Sequence, residues 1–141
     1  ARELHLKVIT IPYLLGNYRK CDDEFGDILL SDVSPMFWLS LIRDAKYIFT
    51  DSFHCVAFSL IFHKDFFVLK RFHDSDKSSI NSRIESLLSL IGYNDRIINN
   101  NITGNDLYNI SPLIYQEIDT IIEEERKKSA DFLLNALEIS E

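Results

Sequence analysis

Thr50-Asp51-Ser52-Phe53-His54 is the stretch of this sequence best equipped for chemistry. It falls where a short strand-like run, Lys46 to Thr50, gives way to an apolar helical one, about His54 to Phe62. A helix start offers amides with no intrahelical acceptor and a partial positive charge, and both suit an anion. In open parallel sheets, ligands gather at the carboxyl ends of strands, which is where this junction lies. Ser52 is placed to cap the helix and to touch the anion. His54, in the first turn, is placed to donate a proton or to hold a charged oxygen. The plainer alternative is that Asp51 and Ser52 only cap the helix and that His54 is a buried, satisfied histidine.

Cations that could join this junction lie further along the chain. Lys70 and Arg71 follow the apolar run Phe66 to Leu69, so they sit at a second carboxyl end. Arg83 lies in the first turns of the next helix, with Ser82 beside it as a weaker candidate. The guanidinium fork matches carboxylates and phosphates, although a plain surface charge is the competing reading for Arg71 and Arg83. His73 and Arg96 are weaker candidates still. No glycine-rich phosphate loop, GxSxG elbow or HExxH motif occurs. Cys21 and Cys55 have no metal-ligand spacing, and His54 and Cys55 diverge as helix neighbours.

The elements that must position these groups alternate. Leu4 to Ile11 reads as a strand ended by Pro12, and Leu15 to Asp27 as a polar connection. Ser34-Pro35 is a helix start, with Trp38, Leu41, Ile42 and Ala45 at helical spacing. Lys46 to Thr50 is a short strand, and the helix after it is apolar nearly all round and so buried on most sides. His63 and Lys64 follow where cations suit a helix end. Phe66 to Leu69 reads as a strand covered on both faces. Asp74 to Ser79 is a loop. Ile80, Ile84, Leu87, Leu88 and Ile91 mark an amphipathic helix that stops at Gly92. Asp95 to Ile98 is a further short strand, and Asn99 to Asn109 a polar loop. Ser111-Pro112 repeats the start signal and opens one helix of about 25 residues, or two with a bend. Strands alternating with helices predict an α/β fold with a parallel sheet between helix layers.

With 141 residues the chain has the size of one domain, expected to span 1–141. Hydrophobic residues make up 46% and charged residues 26%, a balance that excludes bulk disorder. The net charge of −7 argues against nucleic acid or an anionic lipid surface as a partner, so an anionic ligand needs a local pocket. Two cysteines are too few for a disulfide framework and fit a reducing compartment. The first residues hold no apolar signal core, and the longest apolar run, Phe53 to Phe62, is too short to span a bilayer. The chain starts without Met and runs straight into a strand pattern, which suggests a piece of something longer.

At these residues the sequence resembles the polysaccharide pyruvyl transferase family. The resemblance is carried by Ser34-Pro35-Met36-Phe37-Trp38-Leu39, Leu41-Ile42-Arg43-Asp44-Ala45 and Tyr47-Ile48-Phe49-Thr50-Asp51-Ser52-Phe53-His54. It continues through Phe58-Ser59-Leu60-Ile61-Phe62, Phe66-Phe67-Val68-Leu69, Asn81-Ser82-Arg83-Ile84 and the tail from Ser129 to Leu137. The resemblance implies a Rossmann-like, GT-B-like enzyme of two halves that moves pyruvate from phosphoenolpyruvate to a sugar as a ketal. The chain resembles the C-terminal, donor-binding half, with the N-terminal half absent and the fragment alone inactive. The family's histidine maps onto His54. Many members carry arginine between the serine and the histidine. Phe53 stands there in this chain, so Arg83 or Arg71 is left to supply the donor-binding cation. Asp51 and Ser52 complete the substrate-binding set.

The resemblance implies a bacterial, cytoplasmic enzyme of exopolysaccharide or capsule synthesis, peripheral to the inner membrane where its glycan acceptor is lipid-linked. It implies no cofactor and no metal, with phosphoenolpyruvate as donor substrate. Self-association through the last helix is a further expectation, because the first half that would cover its apolar stripe is absent. Two other readings stand beside it. One is a nucleotide-sugar glycosyltransferase half, which would need a carboxylate for the ribose. The other is a non-catalytic interaction fragment.

Overall fold

A computed structural model describes residues 1–12, 25–69, 81–98 and 102–138. The chain divides into two compact units, Ala1–Leu41 and Ile42–Glu141.

In the first unit two short strands, β1 (Ile9–Thr10) and β2 (Ile28–Leu29), pair in parallel, with Ile9 opposite Ile28. The strand expected over Leu4 to Ile11 is therefore only two residues long. Its first part is instead a 3-10 turn, Arg2–Leu4, because the amides of Leu4 and Leu6 both donate to the Ala1 carbonyl at 3.0 Å. Those local bonds use the groups a ladder would need. β2 was not anticipated. Gly26, at φ 99°, turns the chain so that the amides of Asp27 and Ile28 both reach the Val8 carbonyl. A side chain there would lie 2.6 Å from the Thr10 hydroxyl, so this bend requires glycine. Most of the expected polar connection, residues 13–24, lies outside the described residues. Helix α1 (Pro35–Asp44) starts where Ser34-Pro35 predicts, with Ser34 Oγ accepting the Phe37 amide at 3.3 Å.

The second unit is built on three parallel strands in the order β3 (Tyr47–Thr50), β4 (Asp65–Leu69), β5 (Ile97–Ile98). Ile48 faces Phe66 and Thr50 faces Val68 across one ladder, and Val68 faces Ile97 across the other. Three successive residues of β4, Phe66, Phe67 and Val68, are buried, so the central strand is covered on both faces as its apolar run predicts. Helix α2 (Phe53–Ile61) packs on β3 and β4 through Cys55, Val56, Ser59 and Leu60. Ser59 is tolerated there because its hydroxyl donates to the Cys55 carbonyl at 2.7 Å. Helix α3 (Asn81–Ile91) buries Ile84, Leu88 and Ile91 on one face and meets both α2 and the last helix. It stops where expected. Gly92 takes φ 80°, and the Tyr93 amide returns to the Leu88 carbonyl at 2.9 Å.

Two expectations are corrected here. The stretch read as loop from Asn99 to Asn109 contains α4 (Gly104–Tyr108), closed by a reciprocal cap between Thr103 and Asp106. A five-residue helix has too little periodicity to announce itself, so only its cap pair could have betrayed it. The long helix α5 (Tyr115–Glu138) is a single 24-residue helix, but it starts three residues after Pro112. Tertiary bonds hold the approach out of helix: the Ser111 carbonyl accepts from Arg96, and the Ile114 amide donates to the Tyr93 hydroxyl at 2.9 Å. The Ile114 carbonyl then receives the Ile118 amide and begins the helix. The architecture is thus α/β with parallel sheets and a long C-terminal helix.

Candidate active site

The predicted junction forms as a tight turn at the carboxyl end of β3. The Thr50 hydroxyl accepts the Ser52 amide at 3.1 Å, which fixes the direction in which the chain leaves the strand. Ser52 is extended (φ −98°, ψ 124°), and its Oγ accepts the Cys55 amide at 3.4 Å as the N-cap of α2. Its own hydroxyl proton stays available to a ligand, since the cap uses the oxygen as acceptor. The amides of Phe53 and His54 lie in the first turn, before any intrahelical carbonyl can receive them. The carboxyl end of β3 therefore presents amide donors, a hydroxyl and the positive end of a helix together.

His54 is exposed, unlike the buried, satisfied histidine of the plainer alternative. Its ring meets the Phe53 ring edge-on, with centroids 5.8 Å apart and planes at 80°. Phe53 is half-buried, and the guanidinium of Arg83 lies over its ring, 5.4 Å from the centroid. An imidazole and a guanidinium thus bracket one phenyl ring. Arg83 comes from the start of α3, and the packing of α3 on α2 brings the two helix starts together. A cation over an aromatic face keeps its in-plane donors free to bind an anion. The role of Phe53 was not legible: thirty residues separate it from Arg83, and only packing of consecutive helices joins them.

Asp51 is half-buried beside the cap, and its charge adds to the effect of burial on the neighbouring thiol. Burial pushes the Cys55 thiol above its ordinary range, so it is a packing group and a poor nucleophile. Arg71, with Lys70 and His73, lies outside the described residues. Arg96 is placed elsewhere altogether. It is fully buried at the amino end of β4, donating to Asp65 Oδ1, to the Ser111 carbonyl and, at 3.4 Å, to the Phe66 carbonyl. Its guanidinium sits 5.2 Å from the Phe67 centroid. Arg96 therefore ties β4, β5 and the approach to α5, at the end of the sheet opposite His54. His63 pairs with Asp119 at 3.0 Å and stacks on Tyr115. The Tyr115 hydroxyl donates to the Lys64 carbonyl, and burial raises its pKa far above the ordinary phenol value. These groups too belong to the fold.

Residues 4–74, 71 of the 141, match the profile of the polysaccharide pyruvyl transferase family. The chain belongs to that family. The match takes in the first unit from residue 4 onward together with β3, α2 and β4, and so includes Thr50 to His54. No curated protein and no solved structure matches the chain. Membership places this polysaccharide pyruvyl transferase chain among the transferases. Among the described residues no group of three or more His, Cys, Asp or Glu is arranged to hold a metal ion. Among them, too, no helix is long and apolar enough to cross a membrane.

Proposed function

We propose that the Thr50–His54 turn and Arg83 form the donor site of a pyruvyl transferase that takes pyruvate from phosphoenolpyruvate and joins it to a glycan as a ketal. The observation that carries this reading is the bracket of His54 and Arg83 around Phe53 at the start of α2. The α2 start lies within the family's matched region and Arg83 beyond it. Phosphoenolpyruvate carries a phosphate and a carboxylate. The α2 amides and the Ser52 hydroxyl suit one of these anions, and the Arg83 fork suits the other. Where many family members carry arginine in the turn itself, this chain carries Phe53 and brings its cation from α3.

In the reaction a proton adds to the methylene carbon, which becomes the methyl group. A sugar hydroxyl attacks the adjacent carbon and loses its proton. Phosphate leaves, and a second hydroxyl closes the ketal with loss of its own proton. His54 is the proton donor, to the methylene carbon or to the departing phosphate. Asp51 repels an anionic donor, so its place is on the acceptor side, receiving a hydrogen bond from a sugar hydroxyl. The overall arrangement is GT-B-like, with the acceptor held mainly by another half, so these 141 residues alone transfer no pyruvate. No cofactor enters the reaction. The enzyme works in the bacterial cytoplasm on exopolysaccharide or capsule precursors, at the inner membrane where these are lipid-linked.

The test is pyruvyl transfer by the complete enzyme with His54→Ala. A loss of at least about 100-fold in kcat is expected for removal of a proton donor. Unchanged turnover would remove His54 from the chemistry. Saturable binding of a nucleotide sugar, with none of phosphoenolpyruvate, would assign the site to glycosyl transfer instead.

A further inference from the structure

A phenyl ring is an unexpected occupant of the α2 start. Amides, a hydroxyl and a guanidinium can all bind an anion there, and the Phe53 ring cannot. Its face carries the negative side of a quadrupole and repels an anion. Yet the ring stands half-buried in the turn itself, between the capping Ser52 and the exposed His54. What such a face attracts is a cation, and the guanidinium of Arg83 lies over it, 5.4 Å from the centroid.

The two partners differ in how firmly the fold holds them. The backbone around Phe53 is fixed on both sides, by the Ser52 amide on the Thr50 hydroxyl at 3.1 Å and by the Cys55 amide on Ser52 Oγ at 3.4 Å. Arg83 is exposed at the end of a long, flexible stem. Its neighbour Ile84 is buried, which anchors the backbone of α3 but not the end of that stem. A guanidinium fork binds an anion best when it already points at the site, because ordering a loose stem is subtracted from the affinity. The ring supplies a fixed contact at the far end of the stem. We propose that Phe53 is a positioning residue, whose ring holds the Arg83 guanidinium ready for the donor anion. The inference rests on the donor site proposed above. Phe53 acts in it through Arg83 and not by its ring touching the donor.

The test is the KM for phosphoenolpyruvate of the complete enzyme. Phe53→Leu should raise it about three- to tenfold, and Phe53→Tyr should stay within about twofold of the parent. Replacing Phe53 with 3,4,5-trifluorophenylalanine keeps the shape of the ring and cancels most of its pull on a cation. That change should reproduce most of the Phe53→Leu effect without altering the fold. In an Arg83→Ala background, all three changes should leave KM where Arg83→Ala alone puts it. A silent trifluorinated ring beside a normal Arg83→Ala defect would overturn the positioning role alone. So would a ring effect that persists in the Arg83→Ala background, since Phe53 would then act without its cation. An unchanged KM in Arg83→Ala itself is the separate failure of the donor site, and the proposal falls with it.

Discussion

Arg83 and His54 bracket the same ring but are expected to fail in different ways when removed. On the proposed donor site, Arg83→Ala would remove charge-assisted hydrogen bonds to the donor and should weaken phosphoenolpyruvate binding by about 10- to 100-fold, seen in KM. Arg83→Lys keeps the charge and loses the fork, so it should restore only part of the loss. His54→Ala should leave donor binding nearly intact and lower kcat. An equal effect of both variants on KM would contradict this division. The placement of Ser52 and His54 at a helix start was legible from sequence because a strand end, a cap and a helix start lie within five residues. The pairing of Arg83 with Phe53 was not, because it depends on how α3 packs against α2. Arg96 shows the converse: a cation of the right type for an anion site is used up at the other end of the sheet by Asp65 and the Ser111 carbonyl.

At the scale of elements, α2 and the Arg96 clasp make separate demands on stability. Ser52→Ala removes the cap of α2 and should cost about 1 kcal/mol in denaturant unfolding, as well as weakening donor binding. Asp65→Ala leaves the Arg96 guanidinium buried without its counter-charge and should cost about 3–5 kcal/mol. That change should leave the carboxyl-end turn intact if the protein is held folded at low temperature. In α4 the Thr103 hydroxyl and amide hold the Asp106 carboxyl below the ordinary carboxylate range. A depressed carboxyl stabilises the fold above its unfolded value, about 3.9, and that stability is lost as pH falls through the lower folded value. Protection of the α4 amides, corrected for the intrinsic pH dependence of exchange, should therefore hold at pH 5 and fall as acid protonates Asp106. The helices with long apolar periods, α2, α3 and α5, were legible to within a few residues. The short ones were not, since β1, β2 and α4 are decided by particular bonds at Ala1, Gly26 and Thr103.

At the scale of the molecule, alternating strands and helices predicted parallel pairing, and both sheets are parallel. The same order of elements places the α2 start, and Arg83 after β4, at the carboxyl end of the three-stranded sheet. With a net charge of −7, the chain as a whole repels an anionic donor. Binding must therefore come from the short-range donors of one corner, and added salt should change donor affinity only modestly. The most direct test is a titration of the isotope-labelled chain with phosphoenolpyruvate, followed through its backbone amide resonances. Saturable shifts centred on Ser52, Phe53 and His54, lost in Arg83→Ala at the same donor concentration, are the predicted result. Saturation without change at these three amides, or no binding at all, would contradict the assignment of the donor site.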